Sequence, residues 1–132
     1  MLPQLPLQNL AADYDGDLHD MNIGIREVYG DVAVMLAGDA EAKFERELLA
    51  AGVDLSADVL NMGLHGSSTS STLGFAQAAS PDLAIYQAGE GNSYGHPHEA
   101  AIASVLEAGA TVYGTDMHGT VVISSDVHSY TA

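Results

Sequence analysis

The chain has 132 residues, 47% of them apolar, 14 glycines and no cysteine, which fits one turn-rich globular domain and excludes disulfides, thiolate metal sites and cysteine nucleophiles. Eighteen acidic residues against three basic ones, Arg26, Lys43 and Arg46, leave a net charge of −15. Phosphate affinity comes from Lys and Arg, so this balance weighs against nucleic-acid binding by this chain alone. The acids are spread along the whole chain. This composition resembles proteins of salt-loving microbes, in which molar salt cuts the Debye length to about 3 Å and screens the self-repulsion; an ordinary acidic protein is the alternative. No apolar run nears the roughly 18 residues of a membrane span. The amino terminus lacks a basic stretch followed by an apolar one, so no signal peptide is expected and a cytoplasmic location is the default.

In chain order, residues 1–21 are Pro- and Asp-rich and predict an irregular lead-in. Apolar segments at 22–28 and 31–37 predict two strands joined by a tight turn at Tyr29-Gly30. A helix is expected over 41–51, with Phe44, Leu48 and Ala51 inward and Gly52 as its stop. Residues 58–62 form a short buried strand, 73–79 a helix with Pro81 beyond it, and 83–88 another strand. His96-Pro97 places a proline at the first position of a third helix, with Ile102, Val105 and Leu106 as its core stripe and Gly109 as its stop. Segments 111–114 and 120–124 predict a closing hairpin around Asp116-Met117-His118-Gly119, and the tail 126–132 is expected to fray. Alternating strands and helices predict an α/β fold: a mixed sheet of about six strands with three helices.

Three places carry residues suited to chemistry. Asp39 follows the apolar run 32–37 and Gly38; it suits a metal-binding carboxylate at a sheet edge, and equally a helix N-cap. His65 lies between Gly63 and Gly66 after a strand, where its imidazole can leave the sheet edge or bond to loop backbone. His96 and His98 flank Pro97 and can cap the helix or face a ligand. Ser67 to Thr72 supply loop and cap hydrogen bonds, and no Gly-x-Ser-x-Gly elbow marks a nucleophilic serine. His118 is expected in a turn, and His19 and His128 in irregular ends.

Four blocks in order resemble a known family. Met35-Leu36-Ala37-Gly38-Asp39 is similar to a strand ending in Thr-Gly-Asp. Asp58-Val59-Leu60-Asn61-Met62-Gly63-Leu64-His65-Gly66-Ser67 is similar to Asp-Val-Leu-Lys-Val-Gly-His-His-Gly-Ser. Residues 91–98 resemble Gly-x-Asn-x-Tyr-Gly-His-Pro-His, and Thr115-Asp116-Met117-His118-Gly119-Thr120 a closing Thr-Asp-x-x-Gly-Thr turn. Together they resemble the second half of a metallo-β-lactamase-type hydrolase domain, nearest to the ComEC-type DNA-uptake competence proteins, over 22–125.

The resemblance implies half of an αβ/βα sandwich and metal-dependent hydrolysis of a phosphodiester or related ester. It makes Asp39 a bridging metal ligand, His65 a terminal imidazole ligand and His96 a catalytic pocket residue, with zinc or manganese as the metal. Two departures matter. The His-x-His-x-Asp-His ligand cluster is nowhere in the chain, and Leu64 replaces the first histidine of His-His-Gly-Ser. The expectation is a partial hydrolase, inactive as an isolated chain, whose exposed sheet face drives a homodimer or pairing with a chain carrying the first half of the fold. A non-catalytic association or binding module retaining the half-fold is the alternative.

Overall fold

A computed structural model describes residues 8–10 and 22–132. Six strands form one mixed sheet in the order β1 (Gln8–Leu10), β2 (Gly24–Tyr29), β3 (Val32–Leu36), β4 (Val59–Asn61), β5 (Leu83–Tyr86) and β6 (Thr111–Gly114). Five of the six lie in the continuous stretch after residue 22. Strand β1 falls where an irregular lead-in is expected and pairs antiparallel with β2, Asn9 opposite Ile25; the rest of the lead-in lies outside the described residues. The β2–β3 turn is Gly30-Asp31, one residue later than expected, because Tyr29 pairs with Val32. Gly30 has φ +62° and Asp31 has no positive φ, the pattern of a hairpin turn that matches strand twist.

Strands β3 to β6 are parallel neighbours. They are joined through α1 (Ala42–Ala51), α2 (Leu73–Ala79) and α3 (Glu99–Glu107). Right-handed crossovers that step one strand at a time place all three helices on one face. Strand parity agrees. Met35, Leu60 and Ala84 are in register and at most 1% exposed, packed with Phe44, Phe75 and Val105. Opposite them, the row Leu36, Asn61 and Ile85 is half-buried or exposed. Among the described residues this second face carries no helix. The segment after β6 approaches it, where Val121 and Ile123 line a groove of about 170 Å³ with Val34, Leu36 and Ile85.

Helix α1 ends as expected, with Gly52 at φ +66° accepting the left-handed cap. Its inward face differs: Phe44 and Leu48 are buried, Ala51 is exposed, and Glu45 is fully buried. Helix α3 starts at Glu99, two residues after the expected Pro97. His98 is held extended, its N–H donating to the Gly66 carbonyl at 2.8 Å and its Nδ1 accepting from Ser68 N–H at 2.9 Å. The core stripe is Ala101 and Val105, while Leu106 is 53% exposed. The expected 111–114/120–124 hairpin does not form. Strand β5 stops at Tyr86, and Thr115 Oγ1 exchanges hydrogen bonds with the Ala88 N–H and C=O at 3.0 and 2.9 Å. A one-turn helix α4 (Thr115–His118) follows, so the described residues carry four α-helices where three were expected.

The tail does not fray either. Strands β7 (Ser124–Ser125) and β8 (Tyr130–Thr131) pair antiparallel. The Asp126 carboxylate accepts from the N–H groups of His128 and Ser129 at 3.1 and 2.9 Å, an Asx-type turn. The hairpin is pinned to the β2–β3 turn, where Asp31 N–H donates to the Val127 carbonyl at 2.7 Å. No helix among the described residues is long and apolar enough to cross a membrane.

Candidate functional site

Four parallel strands bring four loops to one edge, the carboxyl-terminal rim where α/β sheets bind ligands. These loops are Gly38-Asp39 after β3, Gly63–Gly66 after β4, residues 87–98 after β5, and α4 after β6.

Asp39 is exposed, and its N–H donates to Asn22 Oδ1 at 2.9 Å while Asn22 Nδ2 donates to the Ala37 carbonyl at 2.8 Å. The helix cap is Glu41, so Asp39 is not the N-cap of α1. The Gly38 carbonyl accepts from Leu64 N–H at 2.9 Å, which sets the Asp39 turn against the His65 turn.

Leu64 and His65 have φ of +44° and +57°. Two successive left-handed residues with side chains cost roughly 1–2 kcal/mol each. Gly66 beyond them is left-handed too, at φ +80°, but there a glycine carries it without strain. Gly63 instead allows close approach, since a Cβ there would stand 2.7 Å from the Ala40 carbonyl oxygen. The result is an exposed imidazole whose Nδ1 is 2.9 Å from the Gln87 carbonyl. A carbonyl only accepts, so Nδ1 carries a hydrogen, and in the neutral ring the free lone pair is on Nε2. That is how a ligating or basic histidine is oriented by its surroundings.

His96 is half-buried and joins His65 at 6.3 Å between ring centroids, 23° from parallel. Burial lowers its pKa, and the neighbouring His98 and His65 rings, when charged, lower it further. His98 is committed to structure: its Nδ1 accepts from Ser68, and Nε2 donates to the Tyr94 carbonyl at 3.2 Å. His118 packs edge-on against Tyr113 in a turn, and His128 pairs with Asp31 at 2.8 Å on the surface. His19 lies outside the described residues.

Two clefts flank this wall. One, of about 430 Å³, is lined by His65, Gln87, Asn92, Tyr94, His96 and Thr115 among others. The other, of about 460 Å³, is lined by Glu41, Leu64, His65, Ser67, Thr69, Tyr94 and His96. His65, Tyr94 and His96 thus belong to both, and Asp39 lines neither. Tyr94 and Thr115 had no assigned role in the sequence, although both fall inside the blocks that carry the resemblance.

The donor set does not complete a metal centre. Among the described residues no group of three or more His, Cys, Asp or Glu is gathered to hold an ion, whereas a catalytic zinc takes three protein ligands. The rim brings together two imidazoles, His65 and His96, with Tyr94 beside His96.

No family model matches the chain, and no solved structure matches it. Curated relatives do. It is 38% identical to "Competence protein ComA" of Neisseria gonorrhoeae over 96 residues, 72% of this chain. It is 36% identical to "ComE operon protein 3" of Bacillus subtilis over 92 residues, 70% of the chain. It is 34% identical to "Recombination protein 2" of Haemophilus influenzae over 95 residues, 72% of the chain. The chain covers only 14%, 12% and 12% of those proteins. It is a homologue of one segment of competence proteins.

Proposed function

We propose that this chain is the carboxy-terminal part of a metallo-β-lactamase-type hydrolytic domain of the competence proteins, and that it is inactive by itself. Its contribution is the rim: His65 and Asp39 as ligands for zinc or manganese and His96 as a pocket group beside them. The remaining donors come from a segment or second chain seated on the sheet face opposite α1, α2 and α3. The observation that carries this reading is the orientation of His65, whose Nδ1 is satisfied by Gln87 and whose Nε2 is left for a ligand beside His96. The substrate class is a phosphodiester or related ester. A metal-bound water would supply the nucleophile in the completed site.

The test is metal analysis of untagged protein, alone and after mixing with a polypeptide carrying a His-x-His-x-Asp-His cluster. Alone, the chain should retain well under one equivalent of zinc or manganese, consistent with its short donor set. The mixture should retain metal, and His65→Ala and Asp39→Ala should each remove it. Retention unchanged in both variants refutes the reading.

A second reading, a non-catalytic association module, is favoured by one observation: the described residues gather no three-ligand group. It predicts stable assembly through the sheet face with no metal retained in any mixture.

A further inference from the structure

We propose that Tyr94 is a stacking subsite for a planar ring of the ligand, a nucleobase, held beside the His65–His96 pair. This rests on reading the rim as a phosphoester site and adds what lies next to the ester. Tyr94 is 77% exposed although it is a large aromatic residue. Its ring lies 5.6 Å from that of His96 and 18° from parallel, and His96 is 23° from His65, so three rings run as a near-parallel row.

The loop that carries Tyr94 is pinned. Asn92 Nδ2 donates to the Gly89 and His96 carbonyls at 2.9 and 2.6 Å, and His96 N–H returns a bond to Asn92 Oδ1 at 3.0 Å. The Tyr94 carbonyl accepts from His98 Nε2. An aromatic ring fixed on its backbone and open to water has already lost much of the freedom that binding would remove, which leaves more of the stacking energy as affinity.

The charges narrow the ligand. Neither Lys nor Arg lines either cleft, and Glu41 faces one of them. Affinity must therefore come from ring contact, which every base offers, and not from counterion release. A single nucleotide or a strand end fits this better than a long polyanion.

The experiment titrates the full chain with deoxyadenosine, dAMP, phenyl phosphate and deoxyribose 5-phosphate, following base-proton shifts by NMR. Stacking should make dAMP bind about 5- to 100-fold more tightly than the sugar phosphate and shift the base protons upfield. Tyr94→Ala should reduce dAMP to the sugar-phosphate level, and Tyr94→Phe should keep the preference. Affinity should hold or rise between about 0.1 and 1 M salt, because screening relieves repulsion from the acidic surface. Equal binding by wild type and Tyr94→Ala overturns the proposal, as does absence of saturable nucleoside binding at about 10 mM, a bound near the weak limit of specific recognition. Phenyl phosphate binding as well as dAMP overturns the assignment to a base. Tyr94-dependent nucleoside binding with no metal retained in any mixture would sink the hydrolytic reading alone. Metal retention without base dependence would sink the subsite alone.

Discussion

Replacing Glu45 with alanine should destabilise the protein by about 3 kcal/mol, although nothing at that position touches the candidate site. The side chain is fully buried on α1. Its carboxylate accepts from the N–H groups of Ser71 and Thr72 and from the Thr72 hydroxyl, the last two at 2.9 and 2.6 Å. Thr72 is the N-cap residue of α2, and its own side chain makes no cap bond. Glu45 therefore satisfies, from another helix, the N–H of the N-cap residue and of the residue before it. Removing it orphans the buried Ser71 N–H and the half-buried N–H and hydroxyl of Thr72 at about 1–3 kcal/mol each, partly offset by relief of a buried carboxylate. Urea unfolding in about 1 M salt, where surface repulsion is screened, should show the midpoint falling by roughly 1–3 M, given slopes of about 1–3 kcal/mol/M. Glu45→Gln keeps one acceptor and should lose less.

The pH dependence has a definite sign. Burial raises the Glu45 pKa above 4.5, and the hydrogen bonds from Thr72 and Ser71 oppose that rise without cancelling it. Its contribution is thus fully present at low pH and declines as pH rises from 4.5 through the raised folded value. Glu45→Gln should flatten that decline. A Glu45→Ala protein within about 1 kcal/mol of wild type would refute the account of these donors as dependent on the carboxylate.

Other substitutions probe other links. Gly114→Ala should cost more than about 2 kcal/mol by overpacking, since a Cβ there would stand 1.8 Å from Tyr86 Cζ and Tyr86 is only 4% exposed; thermal unfolding measures it. Tyr86 itself should titrate at about pH 12 by ultraviolet absorbance, raised by burial and by the hydrogen bond and charge of Asp116, and Asp116→Asn should lower it. For His96 the folded pKa is depressed below 6.5, so stability should fall as pH drops from 6.5 toward that lower value, and His96→Asn should remove this component from the stability-versus-pH curve. If the sheet face opposite α1, α2 and α3 mediates assembly, Leu36→Glu should shift sedimentation toward monomer without unfolding, because Leu36 is 39% exposed on that face.

Much of the architecture was legible because it is written in local pattern. The apolar runs at 31–37, 58–62 and 83–88 with helices between them imply parallel strands joined by crossovers. Gly52 marks a helix end wherever it lies, since a left-handed cap needs no partner from afar. The rim followed from topology, as loops after parallel strands share an edge. Within the site, His65 and His96 were found as candidates by their blocks, and the structure sets their rings together. Tyr94 sat in the same block unnoticed, because exposure of an aromatic is invisible in a sequence.

What only tertiary structure decided involves partners far apart in the chain. The His65 tautomer depends on Gln87, 22 residues away. The start of α3 depends on Ser68, 30 residues before His98. Glu45 looked like one more surface acid until Ser71 and Thr72 came to meet it. The tail became a hairpin because Asp126 closes its turn and Asp31 holds it across nearly the whole chain. Periodicity and caps act over a few residues and can be read from them. A hydrogen bond between distant loops exists only once the sheet has set its edges, so the chemistry at this rim belongs to the folded molecule.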